Sequence, residues 1–104
     1  MNSTVATVSA PTIPPEVQDF AVEKEVSRYL DAVIDLARLA FPASAVCVSL
    51  GRDAEDGMHQ YIALDIDAGD QATEELLAGQ RVWSAGVARA CPSRYAVFFV
   101  LGWR

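Results

Sequence analysis

The sequence is poor in the residues from which metal centres and nucleophilic sites are most often built. It holds one histidine, His59, and two cysteines, Cys47 and Cys91, among 104 residues. No C-x-x-C pair is present, so the inventory argues against a four-ligand zinc site. Two cysteines make one bridge at most and no disulfide framework; both lie in apolar or helix-end contexts, which predicts buried or idle thiols in a cytoplasmic protein. No third residue is suggested that would orient a Cys–His pair for catalysis. A phosphate loop and a dinucleotide-binding glycine pattern are also missing, so no cofactor is expected.

Positive charge is scarce as well. Eight Lys and Arg stand against fourteen Asp and Glu, for a net charge of −6. The basic residues are scattered along the chain at Lys24, Arg28, Arg38, Arg52, Arg81, Arg89, Arg94 and Arg104. Nucleic-acid binding needs a basic face that releases counter-ions, and this pattern supplies none. Arg81, Arg89 and Arg94 do not converge by spacing into an anion site. No apolar run approaches the ~20 residues of a spanning helix. The longest is "YAVFFVLGW" near the end. The opening "MNSTVATVSAPTIPP" has neither the basic start nor the apolar core of a secretory signal. Neither nucleic acid nor membrane is therefore an expected partner. Residues 1–13 read as a flexible tail and 14–104 as a single domain, since a chain of this length has no room for a second core.

What is present is clear periodicity. Pro14-Pro15-Glu16 is a helix entrance. From there Val22, Val26, Tyr29, Val33, Leu36 and Ala40 recur at steps of three and four, widened by Leu30, Ile34 and Phe41. One helix running to Pro42 is predicted. "SAVCVSL" then alternates, with Val46, Val48 and Leu50 opposite Cys47 and Ser49. "QYIALDID" alternates again, with Ile62, Leu64 and Ile66 opposite Tyr61, Ala63, Asp65 and Asp67. The polar "GRDAEDGMH" between them predicts a hairpin. Asp70 offers an N-cap for a helix over about 71–90, with Ala72, Leu76, Trp83, Val87 and Ala90 inward. Gly79 and Gly86 inside it each cost about 1 kcal/mol relative to alanine, which predicts close packing there. "RYAVFFVLGW" reads as a strand apolar on both sides.

The order is helix–strand–strand–helix–strand, an α+β two-layer α/β sandwich. A third strand beside the first gives a mainly antiparallel three-stranded sheet of order 2-1-3, with two helices on one face. The other face then carries several large apolar groups, each forgoing about 1.5–3 kcal/mol of burial. That points to a cover, which the N-terminal tail or a second copy could supply, the alternative being a monomer whose sheet face is partly apolar; the interface residues expected are Tyr61, Phe98, Val100 and Trp103. The expected partner is a second copy of the chain, as a homodimer, or another protein.

One arrangement points to chemistry instead. Asp65 and Asp67 lie two apart on a strand and so face the same way, as a divalent metal requires. With Gly51-Arg52 after the preceding strand, they resemble the glycine-serine turn and D-x-D pair of nucleotidyltransferases, whose carboxylates hold metal and triphosphate. The departures are that Ser49 precedes Gly51 across a leucine, Asp67 runs into "AGD", and the third strand carries no carboxylate. Strand end and helix cap explain the same aspartates with nothing added. The loop set Asp53, Glu55, Asp56 and His59 does not make a calcium loop, because the twelfth position is Leu64.

Phe41-Pro42, the alternating Val46 to Leu50, the acidic Asp53 to Asp56, Tyr61 to Ile66, Trp83 and Arg94 to Leu101 together resemble certain small uncharacterised bacterial proteins. The resemblance implies the same order of elements and carries over no site. The function expected from the whole is a small acidic, non-enzymatic protein–protein interaction module that self-associates. The alternative is a minimal nucleotidyltransferase-like protein that binds metal and nucleotide through Asp65 and Asp67.

Overall fold

Proline fixes the start of the first helix, α1 (Pro15–Glu23), and an unusual stop ends it. In the computed structural model, which describes residues 11–55, 57 and 59–104, the predicted single helix is two. Glu25 adopts φ 62°, in the left-handed region. Its N–H donates to the Val22 carbonyl at 3.1 Å, while Val26 N–H reaches back to Ala21 at 2.8 Å. These two bonds make a Schellman stop, and the two residues that commonly meet across such a stop, Ala21 and Val26, are both fully buried. The chain restarts as α2 (Ser27–Ala40). The break rotates the apolar stripe, so α1 buries Val17, Phe20 and Ala21, and Val22 is left 67% exposed. The tail expected over residues 1–13 lies mostly outside the described residues. Ile13 within it is anchored, packing on the core and accepting from Gln18 Nε2 at 3.3 Å.

The hairpin forms as predicted. Strands β1 (Val46–Arg52) and β2 (Gln60–Ile66) pair antiparallel, with Val46 opposite Ile66 and Arg52 opposite Gln60. Alternation sets the register, since a one-residue slip would turn Ile62, Leu64 and Ile66, all fully buried, to the opposite face.

Helix α3 covers Thr73–Ala90. Its N-cap position is Ala72 and no side chain caps it, so Asp70 is not the cap. Asp70 instead follows Gly69, whose φ of 53° turns the chain three residues before the N-cap position. Trp83 and Val87 point inward and Leu76 is half-buried, but Ala72 and Ala90 are exposed. Both helix glycines sit at close approaches, Gly86 to α2 and Gly79 to the residue just after it, as their cost in propensity predicted. A methyl on Gly79 would collide with the Phe41 ring, and one on Gly86 would meet Leu36 Cδ2 at 2.5 Å.

The last segment departs most from expectation. Ser93–Ala96 form a short helix, α4, and the strand β3 is only Phe99–Trp103. It pairs with β2, in parallel, so the sheet order is β1-β2-β3 and not 2-1-3. The physical reason lies at the far edge of β1. The bonds Asp67 N–H to Ala45 and Asp53 N–H to His59 show that odd-numbered β1 residues face β2. Val46 and Val48 therefore point their backbone groups away from the sheet, yet they are only 8% and 3% exposed. Helices α1 and α2 both contact β1, and the burial of these two residues leaves this edge less open than that of β2 to an incoming strand. The crossover through α3 instead returns the chain beside β2. The α+β class holds; the sheet is mixed.

Candidate interaction surface

The register of β3 sorts its side chains. Ile62, Leu64 and Ile66 stand opposite Phe99, Leu101 and Trp103, so these three share the helix-covered face. Val100 and Gly102 fall on the other face with Cys47, Ser49, Gly51, Tyr61, Ala63 and Asp65, none of them buried.

The four expected interface residues are thus divided. Tyr61 and Val100 belong to the open face, with Tyr61 lying over Gly51 so closely that no Cβ fits there. Trp103 is at the rim of the helix-covered side, 44% exposed, with its ring edge-on to Phe41 at 5.6 Å and 77°. Phe98 precedes the strand and packs edge-to-face on Phe20 at 5.9 Å. Lys24 Nζ lies 6.0 Å from the Phe98 ring and 5.8 Å from Phe20. Nearby aromatic residues are tied to cations in the same way: Tyr29 stacks against Tyr95 at 5.7 Å, with Arg28 and Arg94 over their respective rings. Arg94 is thereby drawn to Tyr95, and Arg81 and Arg89 stand about 12 Å apart along α3 by helix rise alone.

The two aspartates go to different places. Asp67 follows the end of β2 and lines an open depression of about 500 Å³ with Ser44, Gly69, Asp70, Gln71 and Glu75. Its floor is ordered by Gln71 Nε2 donating to the buried Ser44 Oγ at 2.6 Å. Asp65 instead leans across β3, with Oδ1 2.5 Å from where a Cβ on Gly102 would be. Gly51 is inside β1, four residues from Asp65's partner Cys47 and so about 13 Å along the strand. Among the described residues, no group of three or more His, Cys, Asp or Glu is placed to hold a metal ion. Asp56 of the acidic loop lies outside the described residues. His59 is exposed, its ring 6.4 Å from that of Tyr61, Cys47 is exposed and Cys91 is buried. Burial pushes the Cys91 thiol above its ordinary value.

One feature went unpredicted. Trp83, Val87, Cys91, Ala96 and Phe99, with Ser84, Ala88 and Ser93 at its mouth, line a mainly apolar cavity of about 260 Å³. It lies where α3, α4 and β3 meet. The signal in the sequence is Cys91-Pro92, since proline at the entry to a helix favours a fresh first turn. Pro92 indeed holds the N-cap position of α4, and its carbonyl accepts from Tyr95 and Ala96 N–H.

Compared with models of known protein families, with curated proteins and with solved structures, the chain matches none. Among the described residues no helix is long and apolar enough to cross a membrane.

Proposed function

We propose that the chain is a small acidic, non-enzymatic protein–protein interaction module of the cytoplasm, and that it self-associates. The observation that carries this reading is the character of β3. Nine consecutive uncharged residues, Tyr95 to Trp103, end in an edge strand. Natural sheet edges are guarded by charge, proline or a bulge against pairing with another chain. Nothing of the kind interrupts β3, and Val100 and Trp103 are both more than two-fifths exposed on it.

Sedimentation velocity over a range of micromolar concentrations tests the reading. A sedimentation coefficient that rises with concentration toward that of a dimer supports it, and a value fixed at one chain counts against self-association. Manganese titration monitored by amide NMR tests its chemical rival. The expected result is no broadening centred jointly on Asp65, Asp67 and Gly51. Selective broadening there would return the carboxylate pair to consideration as a metal and nucleotide site.

A further inference from the structure

The edge of β3 carries a more specific prospect than stickiness. Ile62 N–H donates to Phe98 at 2.7 Å, and Arg104 N–H donates to Ile66 at 2.9 Å. In a parallel pair, alternate residues of a strand bond to its neighbour, so Phe98, Val100, Gly102 and Arg104 face β2. Phe99, Leu101 and Trp103 therefore direct their N–H and C=O groups outward, and these have no partner among the described residues. The free edge is odd-numbered and centred on Leu101.

We propose that this edge pairs with β3 of a second copy, antiparallel about a two-fold axis at Leu101, and that each chain's Trp103 enters the other's apolar cavity. The inference rests on the self-association proposed above and names its surface and register. In this register the two Leu101 residues exchange both backbone bonds, and Phe99 stands opposite the partner's Trp103. Six backbone hydrogen bonds join the two sheets into one of six strands.

Three observations select a second copy as the occupant. Three outward residues, Phe99, Leu101 and Trp103, give a two-fold at Leu101 that leaves none of their bonding groups unmatched. Phe99 is itself a wall of the 260 Å³ cavity, so the residue directly across from it is delivered to the cavity's mouth. That residue is the partner's Trp103, an apolar side chain left 44% exposed in the single chain. A cavity of about 150 Å³ holds a benzene ring, so this one is large enough for an aromatic side chain. On the open face, Val100 stands opposite the partner's Gly102, which presents no side chain against it.

The test combines sedimentation with a single engineered thiol. In a Cys47→Ser background, Leu101→Cys places two thiols across the axis at about 5.5 Å between Cα atoms, a spacing that admits a disulfide. Mild oxidation is expected to convert most of the protein to a covalent dimer, with the amide spectrum of the parent fold retained. Ala88→Glu, at the exposed mouth of the cavity, is expected to raise the dimer dissociation constant at least tenfold and leave the monomer folded. Trp103→Ala should do the same.

A dimer that forms in the parent chain but is not trapped at position 101, and that Ala88→Glu leaves intact, overturns this register while self-association stands. Trapping of the parent chain through Cys47 would identify the open sheet face as the interface and likewise overturn the edge. A chain that stays monomeric at every concentration overturns both proposals.

Discussion

The backbone of Gly79 lies directly against the ring of Phe41, with no room between them for a single added methyl group. The ring is also in edge-on contact with Trp103 and is almost fully buried. Phe41 cannot yield without disturbing both. Helix propensity favours alanine over glycine by about 1 kcal/mol, but overpacking a rigid contact costs about 1–3 kcal/mol and can cancel or reverse that gain. Gly79→Ala is accordingly expected to lower stability to urea. Gly86→Ala is expected to be neutral or mildly stabilising, because the nearest atoms are the flexible tip of the half-buried Leu36. Equal effects at the two sites would show that the ring is not the cause.

Glu25 occupies a left-handed conformation that glycine adopts at almost no cost and other residues at about 1 kcal/mol. Its side chain is exposed, so nothing is lost when it is removed. Glu25→Gly is predicted to stabilise the fold by about 0.5–1 kcal/mol in equilibrium denaturation. Glu25→Val should destabilise, since a branched side chain fits that conformation worst. Stabilisation by valine would mean that the two helices do not break there.

The two thiols should separate cleanly by reactivity. Cys47 is exposed on the open sheet face, and Cys91 is 2% exposed with its Sγ 3.6 Å from the Pro92 carbonyl. A disulfide reagent is expected to modify one equivalent rapidly and the second on the timescale of local or global opening, slower by about 100-fold or more. Two equivalents at one rate would contradict the burial of Cys91.

The same burial has a signed consequence for pH. The folded chain raises the Cys91 pKa by desolvation, so it holds the thiol proton more tightly than the unfolded chain does. That stability is fully present below the unfolded value and is lost as the pH rises through the folded one. Denaturation midpoints of the parent chain should fall above the unfolded value more steeply than those of Cys91→Ala. Parallel declines would assign the alkaline loss to other groups.

Trp83 and Trp103 should report different environments. The Trp83 indole is 7% exposed and donates to the Val33 carbonyl at 3.3 Å, which ties α3 to α2. Trp83→Phe removes that bond and part of the packing, and is expected to cost about 1–3 kcal/mol. In monomeric protein its loss should shift the fluorescence to the red and leave the emission of the half-exposed Trp103. A blue-shifted residual spectrum would place Trp103 in a dry site instead.

Legibility differed from element to element. The β1–β2 pairing could be read from the sequence because strict alternation leaves only one register that buries Ile62, Leu64 and Ile66 together. The close approaches at Gly79 and Gly86 could be read too, since glycine inside a helix needs a packing reason. The stop at Glu25 could not. A Schellman turn ordinarily declares itself by glycine, and here the buried Val26 enforces it on a glutamate. The candidate surface was only half visible: the uncharged run from Tyr95 to Trp103 stood out, but its division among α4, the turn at Phe98 and a short β3 did not.

The sequence by itself determined the α+β class, the hairpin and its buried face, because these follow from local periodicity and from the apolar area each element must hide. Only the tertiary structure decided that β3 joins β2 and not β1. A strand apolar on both sides satisfies either position, so local pattern could not choose, and the choice was left to how the helices pack around β1. That choice also decided the surface, leaving Leu101 at a free edge, Trp103 at its rim and Asp65 against Gly102 of β3.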